Sequence, residues 1–400
     1  MVMPGYKQTE VGKIPEDWSV EFVGKLGAVI RGASPRPKGD RRFYGGPVPR
    51  LMVEDVSRDR KFVTPIVDSL TLEGEMLSRP CKRGTLTFVC SGDVGIPSFL
   101  AVDACIHDGF LALIAISEDC HDDYLYHYIG AHRDRLDSAG THGGVFKNLT
   151  TDVLRAFPIA VPSKPEQKAI AEALSDVDEL ISGLEALIAK KRALKSAAMQ
   201  QLLTGKTRLP GFGRGAKMVQ TEFGEIPSDW EVKALGSVMR IRHGKSQKEV
   251  VSENGLFPIL ATGGEIGRAN RPIYSKPSVL IGRKGTIDEP VYMDSPFWTV
   301  DTLFYSEIDP GADAKFIYYK LCMIDWYKYN EASGVPSLNS ATIEKVRQTF
   351  PPTLEEQTAI SKTITDIDND IECGVAHLKK AQALKQGMMQ ELLTGRTRLI

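Results

Sequence analysis

The sequence predicts a mixed α/β (α+β) fold built twice. Two globular bodies are separated by two long antiparallel helices that form a coiled coil, and the whole is an internal repeat with pseudo-two-fold character. Three observations predict this. Two different stretches of the 400-residue chain are spelled twice, each body is followed by a heptad-patterned segment, and within each body strand-like and helix-like runs alternate.

The repeat sets the organisation. QTEVGKIPEDWSVEFVG at 8–24 aligns with QTEFGEIPSDWEVKALG at 220–236, an offset of 212. SKPEQKAIAEALSDVDELI at 163–181 aligns with TLEEQTAISKTITDIDNDI at 353–371, an offset of 190 that continues to QQLLTGKTRL (200–209) and QELLTGRTRL (390–399). This divides the chain into a first body (1–160), a first long helix (161–209), a linker PGFGRGAK (210–217), a second body (218–350) and a second long helix (351–400).

The helix ends are well marked. Ser163-Lys164-Pro165-Glu166 and Thr353-Leu354-Glu355-Glu356 fit the capping box, in which hydroxyl and carboxylate satisfy orphan amide donors. Gly205 and Gly395 follow the last apolar pairs, where glycine can adopt the left-handed conformation that ends a helix. Between these signals Ile170, Leu174, Val177, Ile181, Leu184 and Ile188 step by four and three residues, and Ile360, Ile364, Ile367, Ile371 and Leu378 match them in the second copy. Leu194/Leu384 and Leu202/Leu392 are expected to continue the stripe, which is the period of a coiled coil. Helices of about 40 residues are about 60 Å long and cannot bury such a stripe alone. The repeated ten-residue ending is read as the stop that two equivalent rods both need.

In the bodies, LTFVC (86–90), FLALIAI (110–116), SVLIG (278–282) and TLFYSEI (302–308) read as strands. DDYLYHYIGAHRDRL (122–136) and AKFIYYKLCMIDWYKYN (314–330) read as helices. Composition is that of a soluble globular chain, with no long apolar run and no signal-peptide pattern, so a cytoplasmic location is expected. The six cysteines show no C-x-x-C spacing and are expected to be reduced core residues. A net charge of −1 means that any nucleic-acid-binding surface must be local.

The motif search argues against catalysis by this chain. TGKT at 204–207 resembles the end of a P-loop, but that pattern needs glycine at 200, where Gln200 stands. There is no Gly-rich methyl-donor turn, no [NDS]-P-P-[YF], no H-E-x-x-H and no G-x-S-x-G, and no metal-ligand spacing among histidines and cysteines.

Local positive charge does recur near the start of each body. RGASPRPKGDRRFYGGPVPR (31–50) carries Arg31, Ser34, Arg36, Lys38, Arg41, Arg42 and Arg50, and RIRHGKSQK (240–248) carries Arg240, Arg242, His243, Lys245, Ser246 and Lys248, with Gly32 and Gly244 aligned inside them. Such groups on Gly/Pro/Ser-rich loops can hold phosphates and present forks to guanine edges. Two further loop pairs add Ser91 and Asp93 with Arg283, Lys284 and Thr286, then Lys147 with Asn339, as candidates for polar contact.

The order body, helix, body, helix, with TEVGKIPEDW opening, PEQKAI and EEQTAI starting the helices and LLTGKTRL ending the first, closely resembles the specificity (S) subunit of type I restriction-modification systems over nearly the whole chain. The paired IP-x-DW and EQ-x-AI … LLTG segments carry the resemblance; the bodies do not, as expected of parts that read different DNA. The resemblance implies that each body is a target recognition domain and that the helices are a spacer and docking rod for two methyltransferase (modification) subunits, which a restriction/translocase subunit joins. It implies a noncatalytic subunit of a DNA adenine methyltransferase and ATP-dependent endonuclease complex, with no cofactor in this chain. S-adenosylmethionine, ATP and Mg²⁺ are expected on the partners. A bipartite, asymmetric target in double-stranded DNA follows, with half-sites about one helical turn apart. Gly374 and the run Lys190-Lys191-Arg192 interrupt the heptads. The competing expectation is a coiled-coil scaffold with two non-DNA ligand-binding domains.

Overall fold

A computed structural model describes residues 5–139, 141–143 and 146–399, the side chains of 139, 141–143, 146 and 147 excepted. The chain forms two compact units, one of residues 1–184 with 377–400 and one of 185–376. Each unit takes part of both long helices, Lys164–Leu202 and Leu354–Leu392, each 39 residues and so about 58 Å in length.

In the first unit a five-stranded sheet runs in the order Ala28–Arg31, Phe110–Ile114, Leu86–Val89, Pro97–Leu100, Phe62–Val63, antiparallel except for the last pair. A four-stranded sheet of Asp68–Leu70, Tyr44–Leu51, Ala104–Ile106 and Arg79–Cys81 lies in the same body, its central pair parallel. The second unit repeats the plan with fewer strands. Met239–Arg242, Leu303–Ile308, Ser278–Gly282 and Val291–Met293 form an antiparallel sheet, and Gly264–Ala269, Phe257–Ala261 and Trp298–Thr299 form the other. The four strands read from the sequence are neighbours at the centres of the first sheets, where fully buried runs are expected.

Two of the expected elements differ. The helix expected over 122–136 breaks after Ala131 at His132, whose Nδ1 pairs with the Tyr128 carbonyl at 2.7 Å, and a second helix, Arg133–Ala139, follows. The helix expected over 314–330 ends at Cys322, and a 3₁₀ turn, Trp326–Tyr329, buries Trp326 against it. The six cysteines form no disulfide; Cys81, Cys90, Cys105 and Cys120 are buried, whereas Cys322 and Cys373 are exposed rather than in the core.

Within each unit the two long helices run antiparallel. In the first, Ile170 and Leu174 share a core with Leu392 and Leu393, and Val177, Ile181 and Leu184 pack with Leu378 and Ala381. In the second, Ile360 and Ile364 pack with Leu202, Leu203 and Met199, and a Cβ at Gly374 would stand 3.1 Å from Ile188. The glycine is thus a seat for Ile188 rather than a simple interruption. Ile188 itself is buried, while Ile367 and Ile371 are half-buried. Leu202 and Leu392 continue the stripe, but Leu194 and Leu384 leave it, 56% and 54% exposed. After Ile188 the seam passes to Lys191 and Lys195, which pair with Asp370 and Asp368 (Lys195 Nζ to Asp368 Oδ1, 2.6 Å). The equivalent side chains pair in the first unit as Lys385 with Asp178, also at 2.6 Å.

The repeated endings close the units. Gly205 and Gly395 are left-handed, with φ of 73° and 66°, and sit so close to Pro227 and Trp230, or to Pro15 and Trp18, that a Cβ would stand 2.7 or 2.5 Å from the proline ring. Three residues further on, Arg208 donates to Asp229 (2.9 Å) and Glu356 (2.7 Å), and Arg398 donates to Asp17 (2.8 Å) and Glu166 (2.8 Å). The arginine hydrogen bond holds Asp17 and Asp229 below the usual carboxylate range. Both glutamates are buried. The capping box is therefore only half used: Thr353 Oγ1 accepts from the Glu356 amide at 3.3 Å, but the Glu356 carboxylate goes to Arg208, and Glu166 goes to Arg398 and the Trp18 indole.

Lys320 is buried in the second unit, its Nζ donating to the Leu203 carbonyl at 3.0 Å and to Thr349 at 2.9 Å. Burial pushes its ammonium down to about 7. In the unfolded chain lysine stays protonated to about pH 10.4, so between these values the unfolded state holds the extra proton and raising pH favours folding. The expected outcome is that wild type gains stability from pH 7 to pH 10 relative to Lys320→Met. Denaturant melts of the two proteins across that range check it, and parallel curves contradict it.

Candidate nucleic-acid interface

Each body brings three loops together around one backbone turn. In the first, the turn is His107–Phe110, closed by Phe110 N donating to His107 O at 2.9 Å; in the second it is Val300–Leu303, closed by Leu303 N donating to Val300 O at 3.0 Å. Gly32 and Gly244 pass so close that a Cβ would stand 2.1 Å from the carbonyl oxygen of His107 or Val300. The loop 90–95 joins through Cys90 N to Gly109 O (2.8 Å), and the loop 282–287 through Arg283 N to Thr302 O (2.9 Å). The third loop then closes on the second, Leu149 N donating to Cys90 O at 2.8 Å and Leu338 N to Arg283 O at 3.0 Å.

The sequence-derived candidates take distinct places on this frame. Arg31 ends its strand and donates to the Asp108 carbonyl (3.1 Å) and to Asn148 Oδ1 (3.4 Å). Ser34 donates to the Asp108 carboxylate and accepts from Arg50 at 2.7 Å, and Arg36 reaches the other Asp108 oxygen at 3.4 Å. Together with Lys38, Tyr44, Asp68 and His107 these residues line a cavity of about 260 Å³. The Ser34 hydrogen bond holds the Asp108 carboxyl below its usual range, and burial lowers His107. Ser91 pairs with Asn148 across an isolated bridge, so it too lies on this cluster.

Other candidates are held aside. Arg42 folds onto Asp40 (2.7 Å) and over the Phe43 ring, Arg41 is exposed beside it, and Asp93 pairs with Arg133 at 2.7 Å. The Lys147 backbone lies in the strand Phe146–Asn148, and its side chain falls outside the described residues. The basic stretch is also not a loop throughout. Residues 44–51 form a strand in which Arg50 is only 4% exposed, paired with Asp68 and stacked over Tyr44.

In the second body Arg240 and Arg242 alternate outward on the strand Met239–Arg242, Arg242 paired with Glu307 at 2.8 Å. His243 stands edge-on against the Phe304 ring. Lys245, Ser246 and Lys248 line one depression with Arg271, Ile273 and Trp298, and the Trp298 indole donates to the Lys245 carbonyl at 3.0 Å. Arg283 pairs with Asp301 at 2.5 Å, Lys284 bridges to Ser337, and Thr286 is exposed at the turn. Arg240, Lys245, Lys248 and Lys284 have no ion pair among the described residues. Asn339 is used locally, its side chain capping the helix Ser340–Lys345.

Sequence reasoning missed Arg271, His107, Asp108 and Asp301. The last two stand at the same place in their turns, but around them HDGF and VDTL share only the aspartate, too little to align.

The comparisons with known proteins agree with this architecture. The family model described as the type I restriction modification DNA specificity domain matches residues 15–191 and 227–379. The chain is similar to the MjaVIII type I restriction enzyme specificity subunit of Methanocaldococcus jannaschii, 26% identical over 98% of this chain and 96% of that one. It is equally similar to that organism's putative MjaX specificity subunit, 26% identical over 98% and 97%. Among solved structures, the type I restriction-modification S subunit from M. genitalium superposes with a TM-score of 0.66 at 16% identity, covering 97% of this chain and 98% of that one.

The close passage of Gly32 and Gly244 predicts that alanine at either forces the turn open. Gly32→Ala should destabilise the first unit by about 1–3 kcal/mol and Gly244→Ala the second by as much. Hydrogen exchange resolved by peptide checks both; protection unchanged at 107–110 and 300–303 contradicts the packing described.

Proposed function

The chain belongs to the type I restriction modification DNA specificity family, and from that premise we propose that it is the noncatalytic DNA-recognition subunit of a type I restriction-modification enzyme, reading a bipartite, asymmetric target in double-stranded DNA. The observation that carries the reading is the recurrence of one loop frame in two bodies whose exposed side chains differ. Each frame gathers cations on a surface built by short loops: Arg31, Arg36 and Lys38 in the first, Lys245, Lys248, Arg283 and Lys284 in the second. Guanidinium and ammonium groups so placed suit phosphates and guanine edges, and unlike surfaces suit unlike half-sites. Residues 1–160 and 218–350 are on this reading the two target recognition domains.

The long helices have a second role in the proposal. Leu194 and Leu384 are equivalent, both leave the seam, and both stay exposed on an outer helix face. Apolar side chains at matched positions of a repeat suit two copies of one partner, and we assign them to two methyltransferase subunits. Those subunits, with the restriction/translocase subunit, bring S-adenosylmethionine, ATP and Mg²⁺. Among the described residues no group of three or more His, Cys, Asp or Glu side chains is placed to hold a metal ion, and no helix is long and apolar enough to cross a membrane. With a net charge of −1, much of the affinity for DNA is assigned to the assembled enzyme.

The test uses the assembled methyltransferase complex. Arg36→Ala should weaken protection of one half-site and Lys245→Ala that of the other, each roughly 5- to 10-fold with a shallower salt dependence, while sedimentation shows assembly unchanged. Leu194→Asp should do the reverse, shedding a methyltransferase subunit. A wild-type complex that leaves no sequence-specific footprint contradicts the reading and favours a scaffold.

A further inference from the structure

Asp108 and Asp301 occupy one position in the repeated frame. Each is the second residue of the turn that the glycine of the first loop abuts. Each has its backbone oxygen held by an arginine, Arg31 Nε to Asp108 O at 3.1 Å and Arg283 Nη1 to Asp301 O at 3.3 Å. Each also has a guanidinium at its carboxylate, Arg36 at 3.4 Å and Arg283 at 2.5 Å. The surroundings otherwise differ: His107 and Gly109 flank the first aspartate, Val300 and Thr302 the second.

Ion pairing does not account for these two side chains. Asp108 is 50% and Asp301 69% exposed, and ion pairs so open to water contribute little. Electrostatics argues against them on a surface that takes DNA, because a carboxylate among phosphate-binding cations repels the backbone those cations attract. The cost is offset where the carboxylate meets a hydrogen-bond donor on the DNA. In the major groove the donors are exocyclic amino groups, cytosine N4 and adenine N6.

Resting on the DNA-recognition reading above, we propose that Asp108 and Asp301 are the equivalent base-reading acceptors of the two bodies, each accepting from the exocyclic amino group of a cytosine or adenine in its own half-site. The arginine that covers each carboxylate in the free protein, Arg36 or Arg283, turns on binding to a phosphate or to a neighbouring guanine edge. The turn, the glycine contact and the backbone hydrogen bond from arginine fix where the carboxylate stands, as a reader of base edges requires. Ser34 and the buried Arg50 hold Asp108 further, Arg50 donating to Ser34 and pairing with Asp68. They are positioning residues for that half-site.

The experiment selects bound sequences from a randomised duplex library with the assembled methyltransferase complex carrying wild type, Asp108→Asn or Asp301→Asn. An amide presents either an oxygen or an NH₂ group, so it no longer rejects thymine O4 or guanine O6. Asp108→Asn is expected to relax one position of one half-site, losing roughly 10- to 100-fold of discrimination there, and Asp301→Asn one position of the other half-site. The base that wild type requires at each position distinguishes cytosine from adenine. Variants that select the wild-type sequence overturn the proposal, whether or not their affinity falls. A wild-type complex that selects no sequence overturns the DNA-recognition reading itself. Asp301 has no side-chain partner besides Arg283 among the described residues, so Asp301→Asn decides the matter even if Asp108→Asn disturbs the Ser34 contact.

Discussion

One arginine clamp, made twice, is the interaction on which the rest of the structure depends. An arginine just past the end of one long helix gathers the aspartate of an I-P-x-D-W strand end and the buried glutamate that opens the other long helix. A buried glutamate without a partner is costly, so each helix start needs the other helix's end. Around the charges, the left-handed glycine lets the backbone settle on the proline and tryptophan, and the leucine pair before it fills the core beneath. The leucines, the glycine and the arginine of L-L-T-G-x-T-R are thereby used. Its first threonine donates to the helix carbonyl four residues earlier, Thr204 to Gln200 and Thr394 to Gln390, and its second pairs with the side chain six residues earlier, Thr207 with Gln201 at 3.1 Å and Thr397 with Glu391 at 3.2 Å. A ten-residue ending is spelled twice because it is a closing piece and there are two units to close.

The duplication is strict where the units are built and loose where they face outward. The clamp, one Asp–Lys pair of the helix seam (Asp368–Lys195 and Asp178–Lys385) and the loop frame recur almost atom for atom, whereas the Lys191–Asp370 pair has Ala381 and Leu180 at the equivalent places. His127 stands near Asp178 in one unit and Tyr319 donates to Asp368 in the other, so even the body-to-seam contact recurs with a different residue. On the outer loops the pattern reverses: a cavity with a buried arginine in the first body, an open depression with Lys245, Lys248 and Arg271 in the second. A scaffold held constant under surfaces that differ suits the proposed reading of two unlike half-sites.

The framework was legible in the sequence because its signals are local and repeated. Heptad spacing, the glycine stops and the four central strands all follow from periodicity and turn chemistry within a few residues. Less legible was anything that depends on long-range partners. The S/T-x-x-E pattern looked like a local cap, but its carboxylate is claimed by an arginine 232 residues away in the first unit and 148 in the second. Leu194 and Leu384 fit the heptad stripe by residue type alone, whereas the seam turns to Lys191 and Lys195 where aspartates stand opposite. The strand at 44–51 is hidden by its glycines and prolines, and with it the burial of Arg50. At the candidate interface the cationic loops were found by composition. The aspartates at their centre became visible only when backbone contacts aligned what residue identity does not.

The most direct test of the clamp is peptide-resolved hydrogen exchange on Arg398→Met and Arg208→Met. If each ending closes the unit described here, Arg398→Met deprotects residues 12–18 and 164–174, which are far from it in sequence, and leaves 224–230 and 354–364 as in wild type. Arg208→Met gives the converse pattern, with a stability loss of about 3–5 kcal/mol in its unit. Deprotection confined to the mutated ending, or appearing in the other unit, would contradict the account.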